Sequence, residues 1–177
     1  MNSDKNIIIP DVKILSSNIF NDDRGYFFES FNQKKFNLLN IETNQFLQDN
    51  ESMSKFGVLR GIHFQTAPFE QSKLVRVVSG EIQDVIVDLR KDSPSYKQYI
   101  SIVLNADDKK QIYIPKGCAH AFLTLSNQAI VSYKVDAYYS KSHDAGIKYD
   151  DPTLNIQWEL DKKDIILSDK DNLLPYI

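Results

Sequence analysis

Apolar and polar residues alternate with a period of two through most of the middle of this chain, the spacing that sends successive side chains to opposite faces of a β-strand. Val75 and Val77 share one face of a run that begins at Lys73, and Val85, Val87 and Leu89 share one face of the next. Ser79-Gly80 stands between them. Glycine tolerates the positive φ of a tight hairpin, so this pair is expected to join two antiparallel strands. Further runs at Ile100 to Leu104, Ile112 to Ile114, Ala121 to Leu125 and Ile130 to Asp136 are separated by Ser-Pro, Asn-Ala-Asp-Asp, Pro-Lys-Gly and Ser-Asn. Many short strands punctuated by turn formers predict an all-β sandwich or barrel.

Helical periodicity is confined to Phe31 through Leu39, about two turns, with Asn32 as the N-cap and Phe36 and Leu39 on one side. From Asp161 onward, charged and apolar residues follow no period. Irregular structure is expected there, packed through Ile165, Ile166 and Leu167.

Composition narrows the class. With 42% hydrophobic and 25% charged residues in 177, the chain has ordinary globular usage. The 21 Lys and Arg against 24 Asp and Glu leave a charge of −3, which does not suit a nucleic-acid partner. No repeat or low-complexity stretch divides the chain, so residues 1–177 are expected to form a single domain. The early apolar run Ile7 to Ile9 stops at Pro10, too short for an export signal. No stretch approaches the roughly 18 apolar residues that a membrane helix needs. Cys118 is the lone cysteine, which excludes an intrachain disulfide and fits a cytoplasmic compartment.

Histidine is the side chain best suited to moving protons near neutral pH, and only His63, His120 and His143 are present. His143 lies in the polar stretch Ser-Lys-Ser-His-Asp-Ala-Gly, where a solvated surface position is expected. His63 lies in the strand-like VLRGIHFQ, and His120 ends PKGCAH. Either could be a hydrogen-bonded core histidine. Strict alternation would put Arg60 and His63 on opposite faces, but the intervening Gly61 suits a bulge that would bring both to one side. An Arg and a His converging inside a barrel mouth are costly unless a ligand such as a phosphate uses them. Cys118, two residues before His120, shares its strand face and is expected to act as a small buried hydrophobe rather than a nucleophile.

The Pro-x-Gly-x-x-His of IYIPKGCAH resembles the second motif of the cupin superfamily of β-barrels. Metal-binding cupins carry two histidines and a glutamate in a first motif. Here His63 is followed by Gln65, a poor ligand, with Glu70 beyond, so no metal is expected.

Six segments, NDDRGYFFESF, QDNESMSKFGVLRGIHFQ, KLVRVVSGEIQDVIVDLRKDSPSY, IYIPKGCAHAFLTLS, YYSKSHDAGIKYDDPTLNIQW and LSDKD, run in the order found in the dTDP-4-dehydrorhamnose 3,5-epimerases, which the chain resembles from about Phe20 to Asp171. The resemblance implies a cupin-type jelly roll with a few short helices, and a cofactor-free epimerase of a nucleotide-linked 4-keto sugar. A ketone at carbon 4 loosens the protons at carbons 3 and 5, because the carbanion delocalises onto oxygen as an enolate. Inversion then needs a base on one face and an acid on the other.

By that resemblance His63 is the base, and Asp171, the second aspartate of LSDKD, orients its imidazole, with Asp169 as the nearby alternative. Lys73 is the cation for the enolate oxygen, and Tyr133, on the face of Val131 and Val135, is the acid that returns a proton. His120 lines the same site. Arg60, Gln48 and Asn50 line the diphosphate and sugar. Phe20, Arg24, Phe27 and Glu29 come from the neighbouring subunit of a homodimer to hold the nucleoside. Met53 stands where a basic residue is common, and Ser72 replaces a common glycine before Lys73. A GDP-linked 4-keto sugar, such as a heptose destined for a capsule or lipopolysaccharide, is the alternative substrate. A metal-dependent cupin and a barrel that binds a sugar nucleotide without turnover are the readings from other classes.

Overall fold

The computed structural model describes residues 9–41 and 46–177; of the early apolar run, Ile7 and Ile8 lie outside them. In chain order come β1 (Lys13–Leu15), β2 (Phe20–Asp22), β3 (Gly25–Phe27), α1 (Gln33–Leu38), β4 (Gln48–Lys55), β5 (Leu59–Gln65) and β6 (Lys73–Ser79). They are followed by β7 (Glu81–Asp88), β8 (Tyr99–Asn105), β9 (Gln111–Ile114), β10 (Cys118–Thr124), β11 (Gln128–Val135), β12 (Asp144–Gly146) and α2 (Asp169–Asn172). Two five-stranded sheets, ordered β1-β9-β6-β11-β4 and β12-β5-β10-β7-β8, form the expected cupin-type jelly roll, with β2 and β3 as a separate ribbon.

Strand pairing is antiparallel throughout the two sheets. The expected hairpin at Ser79-Gly80 is not one. β6 pairs with β9 and β11 in the first sheet, whereas β7 pairs with β8 and β10 in the second. Gly80, at φ +79°, carries the chain from one sheet to the other, and a Cβ there would overlap the Gln128 carbonyl oxygen. Val77, Ile82, Ile86, Ile112, Phe122 and Val131 are buried together between the sheets. Each such side chain contributes about 1.5–3 kcal/mol when fully removed from water.

β7 is buried along nearly its whole length, on both faces. Ile82 and Ile86 face the first sheet, while Val85 and Val87 pack outward beneath Ile147, Leu154 and Ile156. That cover explains why β7 carries apolar residues on both faces, Ile82 and Ile86 on one and Val85 and Val87 on the other. Asn32 caps α1 as expected, its side chain accepting from the Lys35 N–H at 3.2 Å. Phe36 is buried under the helix, but Leu39 is exposed, because the helix is shorter than the apolar spacing suggested.

The C-terminal tail is less irregular than expected. Ile165 and Leu167 pack around Leu59, Leu123 and Tyr149, whereas Ile166 is exposed and α2 follows. β4, with its polar sequence QDNESMSK, has no hydrophobic alternation to announce it. Its inward positions Gln48, Asn50, Ser52 and Ser54 alternate with exposed Asp49, Glu51 and Met53.

Candidate active site

A cavity of about 450 Å³ opens between the sheets, bordered by Ser52, Arg60, His63, Lys73, His120, Tyr133 and Asp171. An adjoining hollow of about 380 Å³ shares His63, Lys73 and Tyr133 with it and reaches Gln48 and Asn50. Strand register sets this grouping. His63 on β5 pairs directly with His120 on β10. On the facing sheet Val135 pairs with both Lys73 and Gln48, and Tyr133 with Asn50. Imidazoles therefore come from one sheet, and the ammonium and phenol from the other.

The bulge expected at Gly61 is present. His63 and His120 are partners, and so are Arg60 and Phe122, so β5 spends one residue more than β10 between the two pairs. Gly61 has φ +131°, and a Cβ would overlap Ala121 across the strands. Only glycine fits there without strain. The extra residue turns Arg60 and His63 to the same cavity.

Each cavity imidazole is held by a carboxylate. His63 Nε2 lies 2.6 Å from Asp171 Oδ1, and His120 Nε2 lies 2.7 Å from Asp84 Oδ2. Burial works against the charge of Asp171, but hydrogen bonds from His63, Ser168 and the Gly61 N–H hold its pKa below the usual carboxylate range. The carboxylate thus stays ionised and keeps its bond to the ring. Asp169, the sequence alternative, is exposed at the first turn of α2.

Burial pushes the Lys73 pKa down to about 8, against the pull of the Asp84 and Asp144 carboxylates. The start of β6 is pinned by Ser72, whose N–H donates to Asp136 Oδ1 at 2.7 Å. Burial pushes the Tyr133 pKa up, opposed by the Arg60 guanidinium, so the phenol keeps its proton at neutral pH. Arg60 donates through Nε to Ser54 Oγ at 2.9 Å and through one terminal nitrogen to the Met53 carbonyl at 3.3 Å. These contacts leave guanidinium donors for an anion. Gln48 and Asn50 bond each other at 2.8 Å.

Four of the expected site residues do not join this cavity within the chain. Phe20, Phe27 and Glu29 border a separate hollow beside α1, and Arg24 pairs with Asp22 at 2.5 Å. Phe20 and Phe27 are 62% and 66% exposed, their rings 6.4 Å apart on the β2–β3 ribbon. His143 is not the solvated histidine expected. It is half-buried, its ring tilted 43° to that of Phe69 at 4.5 Å, and bonded through Nδ1 to Ser140 Oγ at 2.8 Å.

Gln65, at the metal-ligand position of other cupins, instead clamps a loop. Its amide accepts from the Ser140 N–H at 2.9 Å and donates to the Ser140 carbonyl at 3.2 Å. Among the described residues no three His, Cys, Asp or Glu side chains converge as a metal site. Cys118 is buried beside Phe122 in the core between the sheets, and its thiol pKa is pushed up to about 12 by that burial.

Asp84, Asp144 and Lys170 belong to the site and were not singled out from the sequence. Lys170 pairs with Asp144, and both border the hollow that reaches Gln48. The one available signal was Asp84, an aspartate inside the apolar run EIQDVIVD. A buried charge there requires a partner.

Residues 6–177 match the family described as dTDP-4-dehydrorhamnose 3,5-epimerase. A relative of that name from Shigella flexneri is 47% identical over 92% of this chain and 89% of its own. The crystal structure of a dTDP-4-dehydrorhamnose 3,5-epimerase from Bacillus anthracis, with TDP and PPi bound, is 49% identical. It superposes with a TM-score of 0.91 over 94% of each chain. The dTDP-6-deoxy-D-glucose-3,5-epimerase of Legionella pneumophila, in complex with dTDP-4-keto-L-rhamnose, is 43% identical, with a TM-score of 0.88 over 93% of this chain and 87% of that one.

Proposed function

This chain belongs to the dTDP-4-dehydrorhamnose 3,5-epimerase family and is a carbohydrate epimerase of dTDP-linked 4-keto sugars; from that premise we propose that it inverts carbons 3 and 5 with its own side chains as acid and base. The observation that carries this reading is one cavity holding a carboxylate-bonded imidazole from one sheet and a protonated phenol and an ammonium from the other.

His63 takes the proton from carbon 3 or 5, its electron pair moving through the adjacent carbonyl to leave an enolate oxygen. Lys73 stabilises that oxygen as it gains charge. Tyr133 then delivers its phenolic proton to the opposite face of the same carbon, and the enolate collapses to the ketone. Solvent removes the proton from His63 and restores the one on Tyr133. Asp171 keeps the ring oriented and favours the imidazolium that forms. Arg60 grips the diphosphate, Gln48 and Asn50 contact the diphosphate and sugar, and His120 lines the sugar site, backed by Asp84.

Phe20, Arg24, Phe27 and Glu29 complete the nucleoside site of a second copy in a homodimer. Their exposure on the ribbon, away from their own cavity, supports this reading. A solution mass of twice the 20.4 kDa chain tests it. The reaction belongs in the cytoplasm, where a lone thiol such as Cys118 stays reduced. A GDP-linked sugar finds no support in the relatives described above.

The test is solvent exchange. In deuterated water without added cofactor, dTDP-4-keto-6-deoxyglucose should gain deuterium at carbons 3 and 5, and His63→Ala should abolish the uptake. Exchange that survives His63→Ala at the normal rate would remove His63 from the role of base. Metal analysis of the purified chain, with activity unchanged by chelators, separates this chemistry from a metal-dependent cupin.

A further inference from the structure

Asp171 belongs to neither sheet. It sits on a C-terminal strap that crosses the barrel and is seated against a glycine both before and after Asp171. Before Asp171, Ile166 runs parallel to Val58, its N–H donating to the Gly57 carbonyl at 2.8 Å and its carbonyl accepting from the Leu59 N–H at 2.9 Å. Gly57 stands at φ +77°, and a Cβ on it would overlap the Asp164 carbonyl oxygen. The strap therefore lies where a side chain would otherwise be. Ser168 then caps α2, accepting from the Asp171 N–H at 3.1 Å, and aims the carboxylate inward.

Beyond Asp171 the second seat is also a glycine. The Leu174 side chain lies over Gly146, where a Cβ would come within 2.7 Å of it, and the Lys148 N–H donates to the Pro175 carbonyl at 2.8 Å. Gly146 pairs with His63 itself across β12 and β5. One seat thus rests on the turn that leads into the strand carrying the imidazole, and the other on the strand paired with it.

We infer that Gly57 is a positioning residue of the reaction, and that with Leu174 on Gly146 it seats the strap so that Asp171 meets His63. This rests on the reading of Asp171 as the carboxylate that orients the base. The main core lies between the sheets and around β7 without strap residues, so loosening the strap disturbs only the smaller cluster of Ile165 and Leu167 on Leu59, Leu123 and Tyr149. A displaced carboxylate slows proton abstraction without weakening the grip on the nucleotide, which is held by other elements. A shift of about 1 Å in a catalytic geometry costs on the order of 100-fold.

The experiment is a double-mutant cycle on the full chain, with dTDP-4-keto-6-deoxyglucose as substrate and kcat and KM measured separately. Gly57→Ala should lower kcat about 10- to 100-fold with KM within about twofold, and should cost less than about twofold further in an Asp171→Asn background. Equal losses in both backgrounds would overturn the inference, and so would a loss carried by KM or a folded Gly57→Ala with full kcat. Should Gly57→Ala fail to fold, Leu174→Ala decides by the same cycle, since it loosens the other seat without adding an atom. If Asp171→Asn leaves kcat unchanged, the orienting role of Asp171 falls and the inference with it. If Asp171→Asn is damaging and both strap variants are silent, only the inference falls.

Discussion

Raising the pH from 7 to 9 removes the proton from Lys73 as it would not from an ordinary lysine. Burial lowers the pKa of this ammonium to about 8, while Asp84 and Asp144 act in the opposite sense. At pH 9 about one chain in ten keeps the charge, whereas an unperturbed lysine at about 10.4 keeps more than nine in ten. If the ammonium stabilises the enolate oxygen, kcat/KM should fall about tenfold per pH unit above 8, because that ratio follows the free enzyme. The assay is deuterium uptake at low substrate from pH 6.5 to 9.5, corrected for buffer-catalysed exchange. Replacing Asp84 by Asn removes a charge that holds the proton on Lys73, so the descending limb should move to lower pH. Lys73→Gln should be slow and lack that limb. Stability works in the other direction: between about 8 and 10.4 the unfolded chain binds the proton that the folded chain has lost, so the contribution of Lys73 to stability rises with pH. Loss of activity in that window therefore cannot be ascribed to unfolding through Lys73. A wild-type profile that stays flat to pH 9.5 refutes the assigned role.

Other consequences can be measured directly. Tyr133→Phe removes the proton donor but leaves His63, so inversion should drop by about 10²- to 10⁴-fold while deuterium still washes in at the original configuration, as resolved by NMR. Gly61→Ala places a Cβ against Ala121 at a positive φ and should destabilise by about 1–3 kcal/mol in urea titration at unchanged m. Asp88, fully buried, accepts from Arg90, Ser93 and Ser95. Replacing it by Ala leaves Arg90 only Asp11 and the Pro10 carbonyl, leaves the hydroxyls of Ser93 and Ser95 without their acceptor, and should cost about 1–3 kcal/mol by the same titration. Cys118 should resist iodoacetamide at pH 8 in the native protein and react with one equivalent in denaturant, since its pKa of about 12 depends on burial.

Particular residues mark where the sequence was legible. The alternation of β8 and β11 could be read because one face of each strand meets the core and the other is more exposed, whereas β6 and β9 also pack Leu74 and Tyr113 with Phe36 of α1 on their outer face. β4 could not, because its inward face lines the cavity: Asn50 and Ser52 are as polar as the Asp49 and Glu51 that face outward, so no contrast remains. The bulge at Gly61 was legible because glycine between an arginine and a histidine in a strand has few other uses. The Ser79-Gly80 link was misread because positive φ is a local property, whereas the choice between a hairpin and a crossing to the other sheet is not.

The amino-acid sequence by itself determined that this chain builds a β-sandwich and, through the resemblance of six ordered segments, which side chains to consider for proton transfer. Local periodicity and backbone preferences carry that much, since they act between neighbours along the chain. Only the tertiary structure decided that Asp171 rather than Asp169 meets His63, that Asp84 backs His120, and that imidazole and phenol stand on facing sheets. Those pairs lie 108 and 36 residues apart, and what joins them is register, burial and the two glycine seats of the strap, none of which leaves a periodic trace.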